Sequence, residues 1–474
     1  MLFNSFEYIF IFLPTLLFIY YYLNFKLKLL KITLVIFGLF FYSYWNINFL
    51  PILLTSILVN YFFASKIQTN ISHKKKLLFV AITFNLLLLI AFKYLDFVII
   101  NYNYVFNQNI SYFNLSFPLA ISFYTFQQIT YLVDSFYNEI KNKKIIDYFL
   151  FVTFFPQLIA GPIINYNFLI KQFSFNKSII DKFFIRFPFG FFLISIGLFK
   201  KVVIADNLAI FVNNAYDNYL ILDFITSWIL SISFAFQFYF DFTGYVDMAT
   251  GSAYLFGINL PQNFNSPYKS RNLIDFWQRW HMTLTSFLTR YVYYPLMKNF
   301  NQFNLKKSLI IIFLVFIISG LWHGPSWLFV IFGAMHGIGV VFNHIVNEKF
   351  PNLRINYFVS WFATFVYVNF TFIFFRSNSL DQALIIIKKM LFINSELNLH
   401  NVKTIFENLY LSNKYLFFLI FLIILSFMSV TFKNTNEIKN KFKDNNQYLL
   451  ITLLSFIVSL YCITPNNEFI YFKF

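Results

Sequence analysis

The chain has little of what soluble machinery is usually built from. One cysteine, Cys462, occurs in 474 residues, so no disulfide framework, cysteine metal cluster or cysteine pair can form within it. Cys462 sits inside an apolar run, where a lone thiol serves as a small buried hydrophobe. Charged residues make up only 12%, against about 25% in an average soluble protein. Acidic residues are the scarcer sign, 19 against 36 Lys and Arg. Several motifs are missing too. There is no phosphate-binding P-loop, dinucleotide-binding glycine fingerprint, His-Glu-x-x-His zinc pair or nucleophile elbow, so ATP-driven transport, redox work and serine hydrolysis have no support. No sequence repeat or Gly/Ser-rich linker divides the chain.

What is present is apolar. Hydrophobic residues reach 59%, and long hydrophobic runs recur from end to end. That pattern predicts an all-α polytopic integral membrane protein. The formal net charge of +17 would suit a nucleic-acid partner if it were gathered on one face. Instead the basic residues fall in short clusters between apolar runs, where they set topology and attract anionic membrane lipid; no nucleic acid is expected.

Taken in order, the first run, about Phe6 to Leu23, has no basic flank before it and no small-residue cleavage site after it, and reads as a retained helix. Runs follow at about Ile32–Trp45, Ile47–Ala64, Leu77–Phe92 and Phe117–Val133, with Lys26, Lys28, Lys31, Lys66, Lys74 to Lys76, Lys141, Lys143 and Lys144 marking the cytoplasmic side. Phe97 to Ser116 has no Lys or Arg and reads as an outside loop. Tyr148 to Ile164 breaks the alternation, because Lys171, Lys177, Lys182 and Arg186 follow it. Pro156, Gln157, Gly161 and Pro162 interrupt any helix there, so Phe154 to Ile163 is expected to be re-entrant and to wall a cavity; a kinked spanning helix is the alternative. Non-helical backbone at membrane depth survives only when buried in protein or lining a cavity. Phe187 to Val203 should then run outward, although Lys200 and Lys201 at its end violate the charge rule, and Asp206 to Asp223, without Lys or Arg, should lie outside. Ile225 to Phe256 returns, carrying Gln237, Asp241 and Asp247. Met282 to Met297 is amphipathic and interfacial or re-entrant. Ser308–Trp322, Trp327–Ile345, Val359–Phe375, Leu416–Val430 and Leu449–Ile463 complete about twelve helices (11–13), and Leu380 to Leu391 reads as a surface helix.

The chemistry concentrates between Asn265 and Val340. His323 ends an apolar run, between Gly320 and Gly324 and beside Trp322, roughly 24 Å along the helix from Ser308. An ionisable side chain at that depth is a functional-site hypothesis. A neutral imidazole there suits a general base towards a hydroxyl or thiol; a buried histidine satisfied by a backbone carbonyl stands beside it as an equal reading. His281, after Arg279 and Trp280, is placed near the cytoplasmic face, either near a cytosolic donor or as an interfacial anchor. His336 either faces the same cavity or joins helices beside Gly333 and Gly337. His73, His344 and His400 lie in polar flanks and should be solvated. Lys269, Arg271 and Arg279 suit the phosphates of an acyl carrier, and topology accounts for them almost as well. Asp241 and Asp247 are expected to pair with Arg271 or Arg279, or to order a turn, with a structural ion pair the leading reading.

The same stretches resemble the membrane-bound O-acyltransferase (MBOAT) family, in its bacterial alginate O-acetylation branch. The resemblance rests on an ordered set: Met1 to Ser5, Pro118 to Gln127, Phe155 to Pro162, Gly197 to Lys201, Asp241 to Asp247, Phe276 to Leu284, Leu321 to Gly324 and the closing Phe469 to Phe474. Thr243 stands where serine is expected in many relatives. The resemblance implies an MBOAT-type bundle with re-entrant and interfacial helices, one domain over 1–474 with a catalytic core at about 117–346, and a funnel from each membrane face. It assigns the catalytic histidine to His323 and the second characteristic histidine to His281. Trp322, Trp280, Arg279, Lys269, Arg271, Asp241, Asp247 and Gln157 would line the substrate and donor path. It implies cytosolic acetyl-CoA as donor substrate, no bound cofactor or metal, and a separate periplasmic or membrane-anchored polysaccharide O-acetyltransferase as partner in a bacterial inner membrane. D-alanyl transfer from a carrier protein to teichoic acid, and transport without bond chemistry, are the alternatives.

Overall fold

The computed structural model describes residues 1–23, 26–141, 143–159, 161–173, 183–298, 304–393, 399–408, 411–439, 442, 446–464 and 469–470. Ala160, Lys177, Lys182 and Tyr471 to Phe474, used above, lie outside the described residues, as does the side chain of His400.

Among the described residues every regular element is helical. The longer ones, in chain order, are α1 (Glu7–Tyr22), α2 (Leu27–Ser43), α3 (Ile47–Thr69), α4 (Lys74–Phe106), α5 (Ile121–Phe136), α6 (Ile145–Thr153), α7 (Phe183–Asp217) and α8 (Phe224–Leu255). Then come α9 (Leu273–Arg279), α10 (Met282–Leu288), α11 (Leu305–His323), α12 (Trp327–Lys349), α13 (Tyr357–Arg376), α14 (Leu380–Met390), α15 (Leu399–Asn408), α16 (Asn413–Thr431) and α17 (Asn446–Cys462). Seven of the described helices (α3, α4, α7, α11, α12, α13 and α16) are long and apolar enough to cross a membrane, and α1 and α17 are shorter apolar helices. The other expected crossings, α2, α5 and α8, are regular helices of 17, 16 and 32 residues; α5 and α8 carry many buried polar groups, which lowers their hydropathy.

The expected outside loop at Phe97 is helical in its first part, and the segment from Asp206, expected outside, begins as helix. The backbone of α4 continues through a π-helical turn at Ile90–Tyr94 into Leu95–Phe106, so the outside segment is helical as far as Phe106. Likewise α7 passes through Phe199–Ala205 and on to Asp217. Freedom from Lys and Arg reports on topology and does not stop a helix.

The described residues form two compact units, one within 1–195 and 245–261, the other within 196–244 and 262–470. In the first, Lys31 on α2 meets Asp147 on α6 at 2.6 Å in a buried ion pair. Asn60 and Asn85 join α3 to α4 through amide hydrogen bonds of 3.1 and 2.6 Å, and Asn60 also donates to Gln128 on α5. Buried amides that satisfy one another hold helices together where water is scarce. The predicted interruption lies after α6: Phe154 is extended, Pro156 starts a single turn, Phe155–Leu158, and Phe154, Phe155 and Leu158 are fully buried.

The second unit contains the α11–α12 hairpin. Asn304 caps α11 and Ser326 caps α12. The two helices approach so closely that a Cβ on Gly320 would lie 2.2 Å from the Phe329 carbonyl oxygen, and one on Gly333 would lie 2.4 Å from that of Phe316. Small residues permit that approach, and it fixes which rings face the end of α11.

Candidate functional site

The segment before α10 is built around an unusual backbone. Trp280 is extended and ends α9, and His281 follows with φ 44° and ψ 52°, the left-handed region that L-residues with a Cβ rarely adopt. Asn263 holds this turn. Its Oδ1 accepts from the Thr283 amide at 3.2 Å and the Thr283 hydroxyl at 2.9 Å, and lies 3.1 Å from His281 Nδ1. Its carbonyl accepts from Met282 at 2.9 Å. An amide oxygen opposite Nδ1 makes that nitrogen the protonated one and leaves Nε2 as the acceptor. The His281 ring is fully buried, and burial pushes its pKa down to about 3, so the imidazole is neutral. The edge of Phe242 on α8 meets it at 4.9 Å between centroids.

His323 is the last residue of α11, and the helix stops at the extended Gly324. Its ring is 4% exposed and lies within aromatic contact of Trp322 at 4.9 Å, Phe375 at 5.2 Å and Phe332 at 5.9 Å. The Gly320–Gly333 approach sets Phe332 in this wall, and the end of α13 supplies Phe375. Trp322 also reaches the His281 ring at 6.2 Å. One indole thus stands against both histidines.

The third histidine is engaged on both nitrogens. Trp277 Nε1 donates to His336 Nδ1 at 3.2 Å, and Nε2 lies 2.9 Å from the Thr371 hydroxyl. Thr371 itself donates to the Val368 carbonyl at 2.7 Å. Of the two readings left open above, the helix-joining one describes this geometry: His336 links α9, α12 and α13. His73 is exposed, whereas His344 is half-buried against a cavity rather than solvated.

The remaining expected site residues divide. Trp280 is packed among Phe238, Phe264 and Phe276 at 5.1–5.6 Å and is 3% exposed, so it is core. Arg279 is bound by Asp275 at 2.7 Å and by the Asn265 carbonyl at 3.2 Å. Lys269 donates to the Phe432 carbonyl at 3.0 Å, and Arg271 lies over the Tyr357 ring at 5.3 Å. The expected pairing of Asp241 with an arginine is corrected. Its partner is Lys201, 2.6 Å away, which also meets Asp206 at 2.8 Å; Ile470 N donates to the other Asp241 oxygen at 2.8 Å. The reason is proximity on α7 and α8, where Gly244 lets the helices touch: a Cβ there would lie 2.6 Å from the Gly197 carbonyl oxygen. The same contact explains why Lys201 departs from the charge rule, since it is a buried ion-pair member and not a topology signal. Gln157 and Asp247 belong to the first compact unit; Gln157 is buried and donates to the Phe151 carbonyl, and Asp247 is buried.

Asn263, Phe332 and Phe375 carry no local signal; Phe242 lies inside the Asp241 to Asp247 pattern and Lys201 closes the Gly197 to Lys201 stretch, but neither stretch marks them as site residues. Among the described residues no cluster of three His, Cys, Asp or Glu side chains is arranged to hold a metal ion.

Residues 39–380 match the family model described as MBOAT, membrane-bound O-acyltransferase family. A peptidoglycan O-acetyltransferase of Helicobacter pylori is 41% identical over 432 residues, covering 83% of this chain and 80% of the relative. A probable alginate O-acetylase AlgI of Pseudomonas aeruginosa is 31% identical over 396 residues, 81% of this chain and 73% of the relative. A teichoic acid D-alanyltransferase of Bacillus subtilis is 30% identical over 285 residues, 55% of this chain and 69% of the relative.

Proposed function

The chain belongs to the membrane-bound O-acyltransferase family, and from that premise we propose that this multi-pass acyltransferase moves acetyl groups from cytosolic acetyl-CoA across a bacterial inner membrane for O-acetylation of an envelope polysaccharide. The observation that carries the reading is the indole of Trp322, which stands against both His323 and His281 in a buried aromatic setting.

In this reading His323 is the general base. Its neutral imidazole takes the proton from an acceptor hydroxyl as the oxygen attacks the thioester carbonyl. The tetrahedral intermediate then collapses, the carbon–sulfur bond breaks, and the imidazolium returns the proton to the departing thiolate. Aromatic walls exclude water and with it hydrolysis of the thioester. His281, oriented by Asn263, directs its Nε2 as an acceptor and acts as a positioning or hydrogen-bonding group on the donor side. A separate periplasmic or membrane-anchored transferase completes delivery to the glycan, which is peptidoglycan or alginate in the named relatives.

A second reading, D-alanyl transfer to teichoic acid from a carrier protein, is favoured by the Bacillus subtilis similarity, which spans 55% of this chain rather than the 83% of the peptidoglycan enzyme. Two measurements test these readings. Acetyl release from envelope polysaccharide is measured in cells carrying His323→Ala at wild-type protein level, where loss of a positioned base should cost about 10²- to 10⁴-fold; near-normal acetylation refutes the assignment of His323. Transfer of label from acetyl-CoA without any carrier protein excludes the second reading.

A further inference from the structure

Beyond α17 the chain returns to α8, beside the histidine turn of the second unit. Ile470 N donates to Asp241 at 2.8 Å across 229 positions of sequence, and both residues are buried. Asp241 gives its other oxygen to Lys201 at 2.6 Å, so one carboxylate ties the backbone of this late segment to α7. A backbone N–H out of water must find an acceptor, and a carboxylate is a strong one. The neighbouring Phe469 is 1% exposed, and its ring lies 5.6 Å from that of Phe242 between centroids. Phe242 also meets Phe264 at 4.9 Å and, nearly at right angles, His281 at 4.9 Å.

These contacts bear on the aim of His281. Its Nε2 is buried and has no hydrogen-bond partner among the described residues; a buried acceptor left open in this way calls for an occupant. Asn263 fixes the ring at Nδ1. A single hydrogen bond leaves an imidazole free to tilt about it, and the perpendicular ring of Phe242 removes that freedom. Asn263 and Phe264 are adjacent in sequence and lie close to His281 in the chain, whereas Phe469 reaches the same ring cluster from far along it. Cutting Phe469 back would leave a void beside Phe242 into which the Phe242 ring can move.

We propose that Phe469 and Ile470 are positioning residues for acyl transfer. The Ile470 amide, clasped by Asp241, holds the Phe469 ring against Phe242, and Phe242 sets the tilt at which His281 presents Nε2 to the substrate. This role rests on the part proposed above for His281 in the reaction.

Acetyl transfer from labelled acetyl-CoA to envelope polysaccharide is measured in inverted membrane vesicles carrying the full chain, and kcat/KM is expressed per mole of monodisperse protein extracted from the same vesicles. A side chain that only stabilised the fold would lower the amount of that protein and leave its kcat/KM unmoved. Phe469→Ala should instead lower kcat/KM by about 10- to 10²-fold, as small misplacements of a group at the reacting centre do. Phe469→Leu refills most of the space and should restore most of the rate. Added to Phe242→Ala, Phe469→Ala should cost little more, because residues that act through one another are not additive. Ile470→Pro lacks the N–H and should lose activity, whereas Ile470→Val keeps it and should not; this pair gives the same reading if Phe469→Ala does not fold. Wild-type kcat/KM in Phe469→Ala, equal kcat/KM in the two Ile470 variants, or losses that multiply in full in the Phe242 and Phe469 double variant overturns the proposal. His281→Ala separates the two levels. A normal kcat/KM there overturns the role of His281 and this proposal with it, whereas a loss there beside a normal Phe469→Ala overturns this proposal alone.

Discussion

Replacing Lys201 with methionine tests how α7 and α8 are held together. The substitution keeps an unbranched chain one heavy atom shorter and removes the ammonium with its charge and its donors. Lys201 is the common cation of Asp206 at 2.8 Å and Asp241 at 2.6 Å, and all three residues are buried. Lys201→Met strands two carboxylates that repel each other, and breaking a buried pair from one side costs about 3–5 kcal/mol. Asp206→Asn differs in kind. It leaves the Lys201–Asp241 pair intact, keeps an oxygen that can accept from the ammonium, and lowers the excess negative charge of the trio. Its cost is the difference between a charged and a neutral hydrogen bond, about 1 kcal/mol. Neutralising all three, with Lys201→Met, Asp206→Asn and Asp241→Asn together, should recover much of the loss of the single lysine variant. The assay is the fraction of protein that stays monodisperse in detergent after heating, followed by size-exclusion chromatography. Acyl transfer by the surviving fraction is measured in parallel, because Asp241 precedes Phe242, whose ring touches His281. A Lys201→Met protein as heat-stable as wild type, or a triple variant worse than the single one, would refute the reasoning.

Three further outcomes follow from the same geometry. Because burial lowers the His281 pKa to about 3 from an unfolded value near 6.5, the unfolded chain binds the extra proton between those limits. Stability should therefore be full above about pH 6.5 and fall towards pH 3 by about 1.4 kcal/mol per unit from this group, and His281→Gln should remove that part of the slope in heat-stability measurements across pH. Gly320→Ala sets a Cβ against the Phe329 carbonyl and the Gly333 backbone; forcing the α11–α12 hairpin apart should cost about 1–3 kcal/mol and displace His323, so activity should fall further than protein level on immunoblots. His336→Ala leaves the buried Trp277 N–H without its acceptor, worth about 1–3 kcal/mol; melting should drop while the pH profile of the remaining activity stays that of wild type, and a changed profile would make His336 a participant in proton transfer.

Parts of this arrangement were legible in the sequence because they are local. The apolar runs Ser308–Trp322 and Trp327–Ile345 place α11 and the start of α12 to within a few residues, and Pro156 marks the break after α6. His323 and Trp322 stood out because an imidazole and an indole ending an apolar run need a reason. Contacts made across sequence distance left no such trace. Asn263 precedes His281 by several turns of chain and carries no motif, Phe375 is one of many phenylalanines, and nothing in the composition distinguishes Lys201 as a partner for Asp241 rather than a topology marker. The loop expected at Phe97 begins as helix because absence of positive charge is a statement about sides of a membrane, while a helix ends on capping groups and backbone angles.

The rings around His323 also carry an order of manufacture. Trp322 and His323 complete α11, and the glycine-matched helix that follows brings Phe332 almost at once, so this part of the wall forms between neighbours in the chain. Phe375 closes it only at the far end of α13. In chain order the histidine and Phe332 therefore belong to one hairpin, and the Phe375 face is supplied only by the helix after it. Enclosure of the reactive group is, by its place in the chain, among the later events of biosynthesis.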